Sequence, residues 1–239
     1  MKEQNIIKQY DPDSITIGEV VAQDHRAASI FKKAGIDFCC GGKKTIEKAC
    51  AEKGIKKAVL LAELKDLENS PGTRTHNFNE WEPGFLCDYI VNTHHKYVLK
   101  SLPDLVTYTE KLANVHGDRH PELIEVASLF SQVNTELLQH MKNEEQVLFP
   151  AIKDLNNHDS EIAKNTIRNE ILRLSAEHEF AGGAIDKISD ITQHYLIPDD
   201  GCNTYRVAFK LLQDFEDDLH IHVHLENNIL FPKSINLAG

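Results

Sequence analysis

His140-Met-Lys-Asn-Glu144, with Leu148-Phe-Pro150 shortly after it, returns later in the chain as His222-Val-His-Leu-Glu226 with Leu230-Phe-Pro232. In both copies the glutamate follows the histidine by four residues, which places the two side chains on one face of an α-helix. An imidazole nitrogen and a carboxylate directed at one point are a pair of metal ligands. The repeat therefore predicts two helices that each bring a histidine and a glutamate to a metal site.

A further histidine lies at a matched distance before each repeat. His95 precedes His140 by 45 residues, and His178 precedes His222 by 44. A breaker that contains glycine and proline falls near the middle of each interval, so antiparallel helices would place both histidines of a pair at one height. The sequence thus predicts four long helices from Trp81 onwards, with four histidines and two glutamates in one layer.

The proposed ligands lie within the apolar stripes of their helices, and the stripe of the second long helix also includes Leu137 and Val147. A buried glutamate without a partner is strongly disfavoured, so two of them among histidines require a cation or shared protons. Imidazole with carboxylate suits iron, manganese or zinc, and two bridging carboxylates suit a dinuclear centre. The predicted metal ligands are His95, His140, Glu144, His178, His222 and Glu226.

Other ionisable residues near these positions are weighed against them. His94 is the alternative to His95, but it lies about 100° around the helix and fits the apolar stripe less well. His116 would lie about 31 Å from His95 along a straight helix, so we reject it as a ligand. On the last helix, His220 and His224 are expected on exposed faces.

Two carboxylates, Glu145 and Glu177, directly adjoin proposed ligands in the sequence. Neighbouring helix positions are about 100° apart, so these side chains are expected to point away from the site. The alternative is that each carboxylate forms a hydrogen bond with a ligand.

Composition limits the classes of protein to which the chain can belong. It has 239 residues with a formal net charge of −11, which argues against a general nucleic-acid or anionic-membrane binder. No apolar run approaches the roughly 20 residues of a membrane span, and the first residues lack the apolar core of a signal peptide. Five cysteines, two of them adjacent, do not resemble a secreted disulfide framework. We therefore expect a reduced, cytoplasmic protein.

The predicted fold is all-α, with two parts. Short helical patterns before a linker at Asn69-Ser-Pro-Gly-Thr73 indicate a small helical N-terminal domain, residues 1–70. In this domain, Thr45 is the predicted N-cap of a helix that ends at Gly54. Residues 74–239 form the predicted four-helix bundle. The helical part of the N-terminal domain is shorter than about 60 residues, so the stability of its core is marginal. We expect it to pack against a partner.

Cys39 and Cys40 are the second possible chemical feature, in a glycine-rich turn before a helix. Adjacent cysteines form a disulfide only with a distorted peptide, so we expect free thiols. The helix N-terminus and the nearby Lys43 and Lys44 favour a thiolate there. The alternative is that both residues simply pack a small core.

Asp37-Phe-Cys-Cys-Gly-Gly42, followed by the two His-x-x-x-Glu repeats with Leu-Phe-Pro, resembles the Ric family, the repair-of-iron-centres proteins. The resemblance covers roughly residues 17–235. It implies a hemerythrin-like bundle with two non-haem iron ions, a homodimer, and the repair of iron–sulfur clusters damaged by nitric oxide or peroxide. By position, the four histidines would be terminal ligands, and Glu144 and Glu226 would bridge the irons.

The sequence leaves three functions open. The leading hypothesis is a stress-response iron donor to damaged iron–sulfur proteins, with Cys39 and Cys40 helping in transfer or docking. The second is a protein that binds or reduces nitric oxide or dioxygen at open iron positions, which would make it an enzyme. The third is a metal-sensing module that signals through its N-terminal domain. We favour the donor, which is not an enzyme in the usual sense.

Overall fold

The computed structural model describes residues 14–69, 77–155 and 160–239. In these ranges the regular secondary structure is helical, and one isolated antiparallel bridge joins Thr16 and Thr45. The all-α prediction is therefore confirmed. Among the same residues, no helix combines the length and the apolar character needed to cross a membrane.

The chain packs as two units, which do not follow the chain order strictly. One unit contains the chain up to Leu86 together with Val223–Ser234, and the other contains Cys87–His222 with Ile235–Gly239. The linker of the predicted division at residues 70 and 74 lies outside the described residues, and that division stays a prediction. The packing of Val223–Ser234 with the N-terminal unit was not anticipated.

Four short helices begin the N-terminal unit, and side-chain caps start two of them. Thr16 and Glu19 form a reciprocal capping box, with the Glu19 carboxylate accepting the Thr16 N–H at 2.8 Å. Thr45 accepts the Lys48 N–H at 3.3 Å, as predicted for an N-cap, and Gly54 ends that helix with a left-handed φ of 67°. The helices are α1 (Ile17–Gln23), α2 (Ala27–Lys33), α3 (Ile46–Lys53) and α4 (Lys57–Asn69).

Four long helical paths follow, and three of them contain one π-helical turn. The first, α5, consists of Pro83–Ile90, a π turn at Val91–His95, and Lys96–His116. The second, α6, consists of Glu122–Asn143, a π turn at Glu144–Leu148, and Phe149–Leu155. The third, α7, runs without interruption over Glu161–Ile191. The fourth, α8, consists of Asn203–Leu225, a π turn at Glu226–Leu230, and Phe231–Ala238.

The π turn in α6 changes which residues face inward. A π turn contains one residue more than an α turn, so the buried face moves by one position after it. Leu137 before the turn is buried as predicted, whereas Val147 is 40% exposed and Leu148 is fully buried. The prediction that Val147 faces the core is wrong for this reason.

The side chain of Asn228 packs between two glycines of the N-terminal unit. A Cβ atom on Gly42 would lie 2.3 Å from Asn228 Oδ1, and one on Gly18 would lie 2.7 Å from the same atom. The backbones of these glycines are joined by a hydrogen bond from Gly18 N–H to the Gly42 carbonyl at 2.8 Å. Glycine is therefore required at both positions so that Asn228 can sit between them.

We predict that Gly42→Ala destabilises the protein by about 1–3 kcal/mol, because the added methyl group overpacks the Asn228 contact. Gly183→Ala is the matched control, since its Cβ would meet nothing within 4 Å. Gly183 lies inside α7, so alanine there should stabilise by about 0.5–1 kcal/mol. Urea unfolding of both variants measures the difference, and an unchanged midpoint for Gly42→Ala would contradict the packing argument.

Candidate metal centre

Five of the predicted ligands lie in the second unit, on four different helices. His95 ends the π turn of α5, His140 lies in the last turn of α6 before its π turn, and Glu144 begins that turn. His178 lies inside α7, and His222 lies near the end of the α-helical part of α8. All five side chains are buried, and Glu144 has no exposed surface.

Glu144 connects two groups of imidazoles. Its Oε2 atom lies 3.3 Å from His95 Nε2 and also 3.3 Å from His140 Nε2. On one side, His95, Glu144 and His222 have candidate ligand atoms within 4.8 Å of one another, and on the other side His140, Glu144 and His178 do so. The carboxylate is therefore common to two sets of donors.

Two further carboxylates hold the outer nitrogens of the histidines. His95 Nδ1 lies 2.8 Å from Glu145 Oε1, and His140 Nδ1 lies 2.8 Å from Glu177 Oε2. An ionised carboxylate only accepts hydrogen bonds, so each Nδ1 donates and each Nε2 keeps its lone pair for the site. The expectation that Glu145 and Glu177 point elsewhere is wrong, because each carboxylate bonds a histidine of a different helix from its own.

The charge state of Glu177 is consistent with this role. The hydrogen bond from His140 holds the pKa of the Glu177 carboxyl below its ordinary value. Arg173, one turn earlier in α7, also pairs with the Glu177 carboxylate. The carboxylate that orients His140 is therefore ionised at neutral pH.

The donor set fits a metal cation. His140 Nε2 and His178 Nε2 lie 3.0 Å apart. Because His140 Nδ1 donates its proton to Glu177, His140 Nε2 carries no proton. Imidazole nitrogens this close, next to a buried carboxylate oxygen, are brought together favourably by a shared cation. Nitrogen and oxygen donors together suit iron, manganese or zinc.

Glu226, the sixth predicted ligand, belongs to the part of α8 that packs with the N-terminal unit. It is fully buried and follows His222 by four residues in the same helical path. Its π turn begins at the glutamate, as the one in α6 begins at Glu144. Its role as a ligand stays a prediction based on helix geometry.

The Leu-Phe-Pro motif marks the ends of these π turns. Phe149 N–H donates to the Glu144 carbonyl, and Phe231 N–H donates to the Glu226 carbonyl, each five residues back. The next residue is proline, which has no N–H and whose ring would collide with the carbonyl four residues earlier in an α turn. A wider turn removes that conflict. The prolines are therefore a sequence signal for these two π turns, whereas the π turn of α5 is followed by Lys96 and carries no such signal.

The four other histidines considered above lie outside the groups of candidate ligands that contain Glu144. His94 is buried and its Nδ1 lies 3.0 Å from Asp218 Oδ1, so α5 directs His95 and not His94 towards Glu144. His116 Nε2 lies 3.3 Å from Cys202 Sγ, outside the groups that contain Glu144. His220 and His224 are also buried, so the expectation that they are exposed is wrong.

Cys39 and Cys40 of the N-terminal unit are not in a disulfide, and the first is buried and the second half-buried. The hydrogen bond with Cys40, and then burial, raise the pKa of the Cys39 thiol well above its ordinary value. Lys44 forms an ion pair with Glu52 at 2.6 Å. The expectation that lysines favour a thiolate here is therefore wrong for Cys39.

Comparison with protein families gives the class. Residues 88–234 match the family described as Hemerythrin HHE cation binding domain, and residues 13–68 match ScdA_N, described as a domain of unknown function. The first match covers more than half of the chain. The long helices with their buried histidines and glutamate are therefore a hemerythrin-type cation-binding domain.

Curated relatives make the assignment narrower. The chain is 34% identical to the probable iron-sulfur cluster repair protein of Haemophilus influenzae and 33% identical to iron-sulfur cluster repair protein YtfE of Yersinia pseudotuberculosis, with 92% of this chain and 96% of each relative covered. It is 31% identical to iron-sulfur cluster repair protein ScdA of Staphylococcus epidermidis, with 91% and 96% covered. The chain belongs to the iron–sulfur cluster repair protein family, as the resemblance predicted.

We predict that Glu177→Ala lowers the affinity for the bound metal by about 10–100-fold, because His140 loses the partner that orients it. Glu179→Ala is the matched control, since Glu179 is an exposed glutamate of the same helix. Competition with a chromophoric chelator measures both affinities. Equal affinities in the two variants would show that Glu177 does not support the site.

Proposed function

We propose that this protein holds two iron ions and supplies iron to iron–sulfur clusters damaged by nitric oxide or oxidative stress. The observation that carries the proposal is the buried Glu144 carboxylate, which lies 3.3 Å from two imidazoles and belongs to two donor groups. The relatives are named iron–sulfur cluster repair proteins, which supports the role in repair. In this proposal damaged iron–sulfur proteins are the partners.

The ligand assignment follows the geometry of the side chains. His95, His140, His178 and His222 would be terminal ligands, because single imidazole nitrogens bind one ion each. Glu144 would bridge the ions, and Glu226, which holds the matching position one helical turn after His222 in the second repeat, would form a second bridge as the family resemblance implies. Bound iron would supply a Lewis acid with accessible redox states.

Residues around the centre keep the donors ready for the ions. Glu145 and Glu177 fix the tautomers of His95 and His140, so no proton has to leave Nε2 before an ion binds. Six donor residues do not fill the coordination of two irons, which leaves positions for water or a small molecule. An incompletely coordinated ion can be taken over by a competing set of ligands, as donation requires.

The same open positions support a second candidate function, binding or reduction of nitric oxide or dioxygen. Sustained reduction would need an external electron donor. Sustained consumption of nitric oxide by the iron-loaded protein with a chemical reductant would favour this candidate. Consumption of no more than one equivalent per site would favour donation.

Metal content tests the ligand assignment. We expect about two irons per chain in the purified protein, because two bridging carboxylates suit a dinuclear centre. Glu144→Ala and Glu226→Ala should each lose the coupled pair, whereas His116→Ala, which changes a buried histidine outside the site, should keep it. One zinc per chain, or a His116 variant as depleted as His140→Ala, would contradict the assignment.

Cluster repair tests donation and the predicted role of the cysteine pair. Iron-loaded protein labelled with an iron isotope is mixed with a dehydratase whose cluster has lost iron, and the label is followed. We expect the label to move into the restored cluster, and we expect Cys39→Ala/Cys40→Ala to keep its iron but to deliver it more slowly. Repair without transfer of label would contradict donation. Unchanged kinetics in the double variant would contradict a role of the cysteines in iron transfer. The predicted homodimer and cytoplasmic location stay predictions.

A further inference from the structure

The loop Asp37–Gly42 of the N-terminal unit brings two thiols and a carboxylate together. Cys39 Sγ lies 4.0 Å from Cys40 Sγ and 3.2 Å from Asp37 Oδ1, and donor atoms of all three residues lie within 4.8 Å of one another. Two sulfur ligands at about 2.3 Å from one tetrahedral ion are about 3.8 Å apart. The spacing of the two sulfurs therefore fits a single ion.

Backbone hydrogen bonds hold the loop in this form. The Asp37 carboxylate accepts the N–H groups of Cys39 at 2.9 Å, Cys40 at 3.0 Å and Gly41 at 2.8 Å. Consecutive side chains in an extended chain point to opposite sides, whereas this turn directs both thiols to the carboxylate side. The three donors are thus arranged before any ion binds, which reduces the entropic cost of binding.

The burial of the three residues leaves a path for an ion. Cys39 is buried, Cys40 is half-buried, and Asp37 is exposed. Two sulfur donors favour iron(II), cobalt(II) or zinc over magnesium and calcium, which prefer oxygen ligands alone. The loop is therefore suited to a thiophilic divalent cation that enters from the side of Asp37.

Asn228 attaches this loop to the helical turn that begins with Glu226. Its Nδ2 group donates to the Cys39 carbonyl at 2.8 Å and contacts the Phe38 carbonyl at 3.3 Å. The attachment is close, because Gly42 leaves no room for a Cβ beside the asparagine. Asn228 lies two residues after Glu226 in the same π turn.

We propose that Asp37, Cys39 and Cys40 form a second metal site, for a thiophilic divalent cation, which Asn228 holds in shape from the turn of Glu226. When an ion binds, the S–H bonds of Cys39 and Cys40 break, both protons pass to solvent, and two metal–sulfur bonds form without electron transfer. The identity of the natural ion as iron in transit rests on the proposed function. The existence of the site does not.

Cobalt(II) titration of the full-length, iron-loaded protein under anaerobic conditions tests the site. Iron fills the histidine centre, so cobalt should report the loop through the sulfur-to-cobalt charge-transfer absorption in the near ultraviolet. We expect one equivalent to bind, Cys39→Ser/Cys40→Ser to abolish the band, and Asp37→Asn to weaken binding at least about tenfold, as for the loss of one ligand. Cys202→Ser, which removes an exposed free thiol elsewhere, should keep the band.

A band that persists in the double serine variant, or no band in the native protein, would overturn the site.

The role of Asn228 is tested by a separate pair of variants. Asn228→Ala should weaken cobalt binding severalfold, whereas Asn92→Ala, an exposed asparagine in the π turn of α5, should not. Equal affinities would overturn the attachment, with circular dichroism confirming that both variants are folded. Cobalt binding without isotope transfer in the repair assay would reject donation and leave the site intact.

Discussion

Glu144 places a carboxylate among imidazole rings in a position that has no exposed surface. Transfer of an isolated ionised group into a protein interior costs on the order of several kcal/mol even after the surroundings relax. Glu145 and Glu177 hold the imidazole protons on the Nδ1 atoms, so the Nε2 atoms that face the carboxylate present lone pairs and do not offset its negative charge. The requirement for positive charge is what a cation satisfies, so metal binding and folding of the long helices are linked.

The spacing of residues along a helix fixes which side chains share a face, and this explains what the sequence could predict. A separation of four residues puts His140 and Glu144 on one helix face whatever the rest of the fold, and a midpoint breaker brings His95 to the same height. These arguments use helix periodicity alone. They predicted the helices and the meeting of five buried residues, and the two family matches agree with the fold.

Tertiary contacts explain what the sequence could not predict. Glu145 points to a histidine of another helix, and it lies in a π turn that also changes the direction of Val147. A single helical wheel contains neither effect. The expectation of a thiolate at Cys39 failed for a similar reason. Its neighbours in space are a carboxylate and a second thiol, whereas Lys44, which is close in sequence, pairs with Glu52.

The sharing of Val223–Ser234 with the N-terminal unit affects how the protein is made. Its first four helices leave the ribosome early, but about 150 residues separate the end of α4 from Val223, which at about 5–20 residues per second takes roughly 8–30 s to synthesise. Through that interval the cysteine loop exists without Asn228. The cysteine loop is therefore synthesised well before the segment that completes its surroundings, and the thiol pair acquires its finished setting only after Val223–Ser234 has been made.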